Sequence, residues 1–456
     1  MRKCITNDAR KIALFILNTL DKGRLTLDGI VEDVLGTEAL LTRRNRALAN
    51  ALVYGVLRWQ SHLDWIIGHF SKTRLHKIDP PVLNILRLGL FQIKFLNRIP
   101  PSAAVNTSVQ MAKSVAAPWV AKFVNGVLRN AAGNYKDVVF PDLEKDPVLA
   151  LATIKSFPKW LIKRWINRLG LEQTEALCDA INTIPPITIR TNTCKVTGKN
   201  LMESLGNDVD KIASTPYSPD GLSFYSPRLP IPETKAFQAG WFQVQDEAAQ
   251  LVTLLLNPQP GERILDACAG LGGKTGHIAQ IMKNQGKITA MDKDGKKLLQ
   301  LASEMNRMGF SNVTALQHDL NQPLTHKRMG TFDRILLDAP CSGLGVLRRN
   351  PDTKWSTSKK DLSRLKAGQK KYLDALAHLV KPSGTLVYAV CSTEPEENEE
   401  VISAFLNNHS EFVIEKNPDG LPFKARSLVN PNGYFRTFPH LNPMDGFFAV
   451  CLKRVR

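Results

Sequence analysis

Nowhere in the chain do about 18 apolar residues run together, the length a helix needs to cross a bilayer, so no membrane span is expected. The first residues, Met1-Arg2-Lys3-Cys4-Ile5-Thr6-Asn7-Asp8, hold no apolar core of the kind a secretory leader requires. Cysteine is scarce: seven in 456 residues, with no regular spacing and no Cys-x-x-Cys pair. That scarcity argues against a disulfide framework or a zinc knuckle and fits a reducing cytoplasm. No metal site is expected, because the acidic run Glu394–Glu400 reads as a helix start whose carboxylates face the positive end of the dipole. Internal repeats and low-complexity tracts are missing too. What remains is a 43% apolar chain, long enough for about two to four ordinary domains.

Acidic residues are also in short supply, leaving a net charge of +18. Residues 1–140 carry +11 of it, 141–240 only +1, and 241–456 the remaining +6. An excess of positive charge favours polyanions through counterion release, without sequence preference. Arg43, Arg44, Arg46 and Arg58 gather on and before one long helical stretch and are candidates for phosphate contacts.

Residues 8–135 show helical periodicity throughout. Asp8 can cap a helix with Ile12, Phe15, Ile16 and Leu20 on one face. Thr42 precedes another, with Leu48, Leu52, Val56, Trp59, Leu63 and Ile66 at helical spacing. Pro80-Pro81 and Pro100-Pro101 open two more, and Trp119 to Arg129 forms a further one. Residues 1–140 therefore read as an all-α bundle, closed by a polar linker over 133–147. A small α+β unit follows at 148–235, with helices around Trp165 and Leu177 and strands at Ile187–Arg190 and Leu222–Tyr225.

Residues 236–456 change character. Trp241–Val244 reads as an opening strand, and from Ile264 short apolar runs alternate with helical patterns, as in a doubly wound parallel sheet. Strand Arg263–Asp266 leads into the turn Cys268-Ala269-Gly270-Leu271-Gly272-Gly273-Lys274. Three glycines there allow close backbone approach, and the helix that follows aims N–H groups at whatever sits before it. The turn lacks the first glycine of a Walker A sequence. Asp292 closes the next strand, 26 positions after Asp266, where it can take two ribose hydroxyls. Asp319, after the third strand, is placed to accept from an adenine amino group. An adenosine-bearing ligand fits, with a nicotinamide cofactor and S-adenosylmethionine (SAM) both open on these residues alone.

Two further strand ends carry the chemistry: Asp338-Ala339-Pro340-Cys341 and Val390-Cys391-Ser392. Ligands in such sheets sit beyond the carboxyl ends of the strands, so both thiols would face one crevice beside Asp338. A pair of thiols and a carboxylate suits methylation at C5 of a cytosine. A thiolate adding to C6 makes C5 enamine-like, a base then removes the C5 proton, and the thiolate leaves. Asp338 would hold the N3/N4 edge. Spacing does not say which thiol attacks. An amino-group methyltransferase would want a Pro-Pro-Tyr-like loop after Asp338 instead. A basic antitermination-type RNA-binding module with a vestigial catalytic half is disfavoured by the intact Asp338, Cys341 and Cys391.

Asp338-Ala339-Pro340-Cys341-Ser342-Gly343 with Arg348-Arg349-Asn350-Pro351-Asp352 resembles motif IV of the RNA cytosine-C5 methyltransferases, and Tyr388–Ser392 with Pro395-Glu396-Glu397-Asn398 resembles their motif VI. At full length the chain is similar to the bacterial 16S rRNA methyltransferases of the Fmu/Sun type. Ile99–Asn106 and Phe123–Arg129 match the domain these share with the antitermination factor NusB. The resemblance implies a Rossmann-like SAM-dependent methyltransferase domain behind a NusB-like RNA-binding bundle, with 16S rRNA as partner; a monomer is expected, though the sequence itself does not reveal the oligomeric state. It also implies that Cys391 attacks C6, that Cys341 helps release the product, and that Cys268 to Lys274, Asp292, Asp319 and Asp338 contact SAM. Where the family carries Ala-Pro, this chain has Gly270-Leu271, which adds an N–H to the turn. Arg348, Arg349 and Lys354 are candidates to grip RNA phosphates near the flipped base. Cys4, Cys178, Cys194 and Cys451 read as small apolar residues.

Overall fold

The computed structural model of the protein describes residues 7–23, 25–35, 42–115, 117–324 and 329–455, which leaves Cys4 outside the described residues. The chain forms two compact units: Met1–Thr183 together with Asn350–Thr357, and Ile184–Arg349 together with Ser358–Arg456.

The first unit is helical. Asp8 accepts from the Arg10 N–H at 2.9 Å and starts the helix Ala9–Leu20. Thr42 caps Arg43–Phe70, accepting from Asn45 N–H at 3.3 Å. That helix of 28 residues bends at Trp59, whose backbone leaves helical geometry. Pro80–Phe95, Pro101–Val115 and Pro118–Asn134 complete the set expected from periodicity. Leu27–Leu35 is an additional helix, too short to announce itself by period. Ile12, Ile16, Leu52, Val56, Leu63, Ile66, Ile85 and Leu128 lie in one buried core. Gly55 is required there, since a Cβ would stand 2.0 Å from the Phe91 ring. The helices Pro147–Ile154, Lys159–Leu169 and Leu171–Asn182 also belong to this unit.

So does the short helix Thr353–Ser356, which carries Lys354. Expected on RNA, Lys354 is instead fully buried. Its ammonium donates to the Asn182 side chain at 2.8 Å and to the carbonyls of Arg58 and Ser156 at 3.3 Å, above the Phe157 ring. Burial drives its pKa well below the ordinary lysine value. An ammonium enclosed in this way has no face left for a phosphate.

The second unit contains two sheets. The smaller runs β2-β3-β1-β4, with β1 (Ile187–Thr191), β2 (Asp210–Ser214), β3 (Gly221–Tyr225) and β4 (Phe242–Val244). Phe242–Val244, read from sequence as the opening strand of the last segment, is thus the edge strand of this sheet, paired with β1. Arg190 on β1 is wholly buried and donates to Gln243 Oε1, Gln280 Oε1 and the Gly273 carbonyl. Burial lowers its pKa to about 9. The small sheet thereby fixes the first turn of the helix Gly273–Ile281.

The larger sheet has the order β10-β12-β9-β8-β5-β6-β7, with β11 added beside β12. Its parallel core is β5 (Arg263–Ala267), β6 (Lys287–Asp292), β7 (Val313–Gln317), β8 (Phe332–Asp338) and β9 (Val380–Val390). β12 (Phe447–Arg454) runs against β9, and β10 (Phe412–Ile414) and β11 (Tyr434–Thr437) run against β12. Buried apolar clusters lie on both faces, which is why β5, β8 and β9 read as unbroken apolar runs. Chain order moves outward from β5 to β7, then returns to β8 on the other side of β5. The crevice beyond β5 and β8 is the switch point of the sheet, where ligands of open α/β folds bind.

Candidate active site

Beyond β5 the backbone takes left-handed conformations at Cys268 (φ +64°), Gly270 (φ +57°) and Gly272 (φ +85°) before entering the helix Gly273–Ile281. At Gly272 a side chain is impossible, since a Cβ would sit 2.7 Å from Leu301. At Gly270 the space is open, but the positive φ would strain the alanine of the family pattern. The Gly270 N–H donates to Asp292 Oδ2 and the Asp294 N–H to Oδ1, both at 2.9 Å, fixing the carboxylate that closes β6. Asp319 follows β7 and accepts from the Asn321 N–H, which holds its carboxyl below the usual range. Cys268 is kept in the thiol form by burial and by the carboxylates of Asp292 and Asp338.

Beneath the turn, Asp266 is fully buried and accepts from Thr275 Oγ1 at 2.6 Å. Burial raises its pKa to about 7. An unfolded chain releases this proton near pH 3.8, whereas the folded one keeps it until about pH 7. Stability contributed here is therefore lost as pH rises between those values and is flat above them. Relative to the parent, the variant D266N should gain about 1 kcal/mol for each pH unit from 5 to 7 and nothing further to pH 9. Paired thermal melts across that range read the difference.

A cleft of about 430 Å³ opens in front of this turn, a size that accepts a nucleoside-bearing ligand. Its walls include Cys268, Gly270, Asp292, Asp319 and Tyr372 at one side and Asp338, Pro340, Cys341 and Cys391 at the other. A single cavity thus takes in both sets of residues singled out by motif. Acids at the ends of β6 and β8 and after β7 suit a ligand that is cationic at sulfur and at its amino group. The residues fit SAM.

The thiols meet because of strand register. Asp338 on β8 pairs with Ala389 on β9, and the Ala339 N–H donates to the Ala389 carbonyl at 2.9 Å. Cys341 and Cys391 follow within three residues, and their sulfurs lie 3.2 Å apart. The hydrogen bond to Cys391, reinforced by burial, holds Cys341 well above the ordinary thiol value. Cys341 therefore keeps its hydrogen, within hydrogen-bond reach of the Cys391 sulfur. Gly345 closes the loop from behind, donating to the Cys391 carbonyl at 3.0 Å, and a Cβ there would collide with the Gly446 carbonyl.

Two residues of the site were not legible in the role they hold. Glu397, read as one acid in a helix start, is fully buried. One of its oxygens accepts from the Ser342 N–H (2.8 Å) and Gln369 Nε2 (3.0 Å), the other from the hydroxyls of Ser342 and Ser392 (both 2.5 Å). A single carboxylate thereby ties together the residues that follow each cysteine. Lys274, expected on the cofactor, pairs with Asp338 at 2.5 Å and faces the Phe447 ring. Burial alone would lower this ammonium, but Asp338 overrides it and holds the pKa above the usual lysine value. A positive charge is thereby fixed beside Asp338. No spacing rule points to either role, although Glu397 falls within the Pro-Glu-Glu-Asn string.

The arginines expected on RNA divide. Arg348 is buried and paired with Asp445, and Arg349 is paired with Asp445 and Asp246. Their charge is neutralised inside the protein, and they brace the loop that carries Cys341. Arg43 and Arg44 are exposed and Arg46 is half-buried at the start of their helix. Cys178 and Cys451 are buried thiols pushed up to about 12 by burial, and Cys194 is exposed. Among the described residues no helix is long and apolar enough to cross a membrane, and no group of acids, histidines and cysteines is arranged to hold a metal.

A doubly wound sheet with a reversed strand, a glycine turn after its first strand and a cleft at its switch point define an SAM-dependent methyltransferase. Residues 253–453 match the 16S rRNA methyltransferase RsmB/F family, 7–133 the NusB family, and 157–230 the ferredoxin-like domain of RsmF/B-like methyltransferases. The chain is 36% identical to the probable ribosomal RNA small subunit methyltransferase B of Synechocystis sp., over 98% of its own length and 99% of the relative's. It is 36% identical to the corresponding Bacillus subtilis protein, over 98% of each. Among solved structures, PH0851 superposes with a TM-score of 0.80 at 27% identity, covering 98% of this chain and 99% of that one. A methyltransferase homolog protein from Pyrococcus horikoshii gives 0.57 at 28% identity, covering 68% and 99%. The chain belongs to the ribosomal RNA small subunit methyltransferase B family, and it is an SAM-dependent rRNA methyltransferase.

Proposed function

We propose that the enzyme methylates C5 of one cytosine in 16S rRNA through a covalent bond between Cys391 and C6. The observation that carries this reading is the 3.2 Å approach of the Cys341 and Cys391 sulfurs in a cleft that also holds Asp338. SAM, when bound, supplies an electrophilic methyl group. Cys268 to Lys274 form its cradle, with Asp292, Asp319 and Asp338 as its acidic contacts.

Cys391, as its thiolate, forms the S–C6 bond and pushes the C5=C6 electron pair onto C5. Asp338 holds the N3/N4 edge while charge develops on the ring. Once C5 carries the methyl group, its proton leaves to a base and the electron pair re-forms C5=C6. Cys391 then departs as thiolate. The Cys341 S–H, with its sulfur 3.2 Å from that of Cys391, stabilises the departing charge and so promotes release.

In this reading residues 1–140 bind RNA, 148–235 form a supporting α+β piece and 236–456 carry the reaction. Arg43, Arg44 and Arg46 contact phosphates. The double variant R43Q/R44Q should bind rRNA more weakly at low salt and reduce the slope of log K against log salt by about 2. Filter binding from 50 to 300 mM salt (roughly the range over which phosphate contacts are lost) reads it. In cells lacking the gene, mapping of 5-methylcytosine should find one position of 16S rRNA that has lost its mark. Unchanged marks throughout would refute the assignment.

A further inference from the structure

A second cleft of about 390 Å³, nearly as large as the active-site one, opens in the loops between β10 and β11. It shares no lining residue with the active-site cleft, and the mechanism makes no use of it. Lys416, Asn417, Asp419, Arg426 and Asn430 line it. Arg426 spends only its Nε on the protein, donating to the Leu421 carbonyl at 3.4 Å. Among the described residues neither Lys416, Lys424 nor Arg426 forms an ion pair with a carboxylate.

Between the lining residues Leu421 and Arg426 the chain carries Phe423, itself outside the lining and 88% exposed, the most exposed large apolar side chain among the described residues. It begins the 3-10 helix Phe423–Leu428. Such a helix has about three residues per turn, so side chains at i and i+3 eclipse. Phe423 and Arg426 therefore share one face, with the ring and the guanidinium one turn apart. A phenyl ring left in water adds nothing to the core, and next to a cationic cleft it offers a stacking surface.

We infer that this cleft binds an unpaired nucleotide of the substrate RNA, outside the active site. The base stacks on Phe423, its phosphate lies against Arg426 and Lys416, and the Asn417 and Asn430 amides meet its polar edge. An unpaired base has the flat face that the ring requires, whereas paired bases hide theirs within the duplex. The balance of charge, with Asp419 as the one acid of the lining, favours a polyanion over a neutral partner. The inference rests on rRNA being the substrate.

The test compares F423A, F423W and R426Q in steady-state methyl transfer to 16S rRNA, with SAM affinity measured by calorimetry. F423A should raise KM for rRNA about tenfold with kcat and SAM affinity unchanged, and F423W should restore it. R426Q should raise KM and lower the salt slope by about 1, which F423A should not. Ultraviolet crosslinking of the parent protein to 16S rRNA containing 5-bromouridine should join RNA to the peptide bearing Phe423. This last readout needs no turnover: if the crosslink forms while no methyl group is transferred, the proposed reaction fails and the RNA site stands. An unchanged KM in F423A, or a crosslink pattern that omits this peptide, overturns the site. A defect seen only on assembled small subunits and not on naked rRNA would point to a ribosomal protein and also overturn it.

Discussion

Cys391→Ala protein is expected to bind SAM as tightly as the parent and to transfer no methyl group to rRNA, a loss on the order of 10⁴ or more, typical of a removed nucleophile. Cys341→Ala is expected to behave differently. It should form the bond to C6 and accept the methyl group, then stall, leaving a protein–RNA adduct that survives denaturation. The difference follows from the separate parts that the two neighbouring sulfurs play in the proposed reaction. Cys341 is held as a thiol with its sulfur 3.2 Å from that of Cys391, so removing it leaves the attacking group in place and takes away what eases its departure. Denaturing gels of each variant with 16S rRNA read the outcome. An adduct with Cys391→Ala and none with Cys341→Ala would exchange the two roles.

The second large effect is expected at Glu397, which touches neither substrate nor cofactor in this account. Its carboxylate accepts from Ser342 twice, from Ser392 and from Gln369, joining the loop after Cys341 to the loop after Cys391. Hydrogen bonds to a buried charge are worth about 1.5–3 kcal/mol each, and displacement of a reacting group by about 1 Å costs roughly 100-fold in rate. E397Q turns one acceptor into a donor facing hydroxyls or an N–H. Its kcat should fall about 100-fold, and the Cys341→Ala adduct should form correspondingly slowly in that background. SAM affinity should stay within about twofold, because the glycine turn and Asp292 are fixed independently. S342A and S392A, each removing one hydroxyl, should fall between E397Q and the parent. A kcat for E397Q within threefold of the parent would mean that strand register and the Gly345–Gly446 contact suffice to align the sulfurs.

Strand ends and helix periods were legible because they depend on near neighbours. The β5, β8 and β9 runs are apolar since both faces of the sheet are covered, and Asp8 and Thr42 cap the helices they precede. The thiol pair was legible because the fold class puts strand ends in one crevice. What escaped depends on partners distant in sequence. Nothing near Arg348 or Arg349 reveals that Asp445, about a hundred residues on, and Asp246 neutralise them. Lys354 looks like any surface lysine until helices from the first 182 residues close around it. Phe242–Val244 has strand character, but its choice of β1 over the larger sheet is settled by pairing and not by composition. Glu397 was hidden by its acidic neighbours, of which Glu396 and Glu400 keep some exposure.

The identity of the product reports most directly on the chemistry. Purified enzyme, 16S rRNA and SAM tritiated in the methyl group, followed by complete digestion to nucleosides, should put all the label in 5-methylcytidine. Label in N4-methylcytidine, or in any methylated adenosine, would contradict attack at C6 and leave the paired thiols without a role.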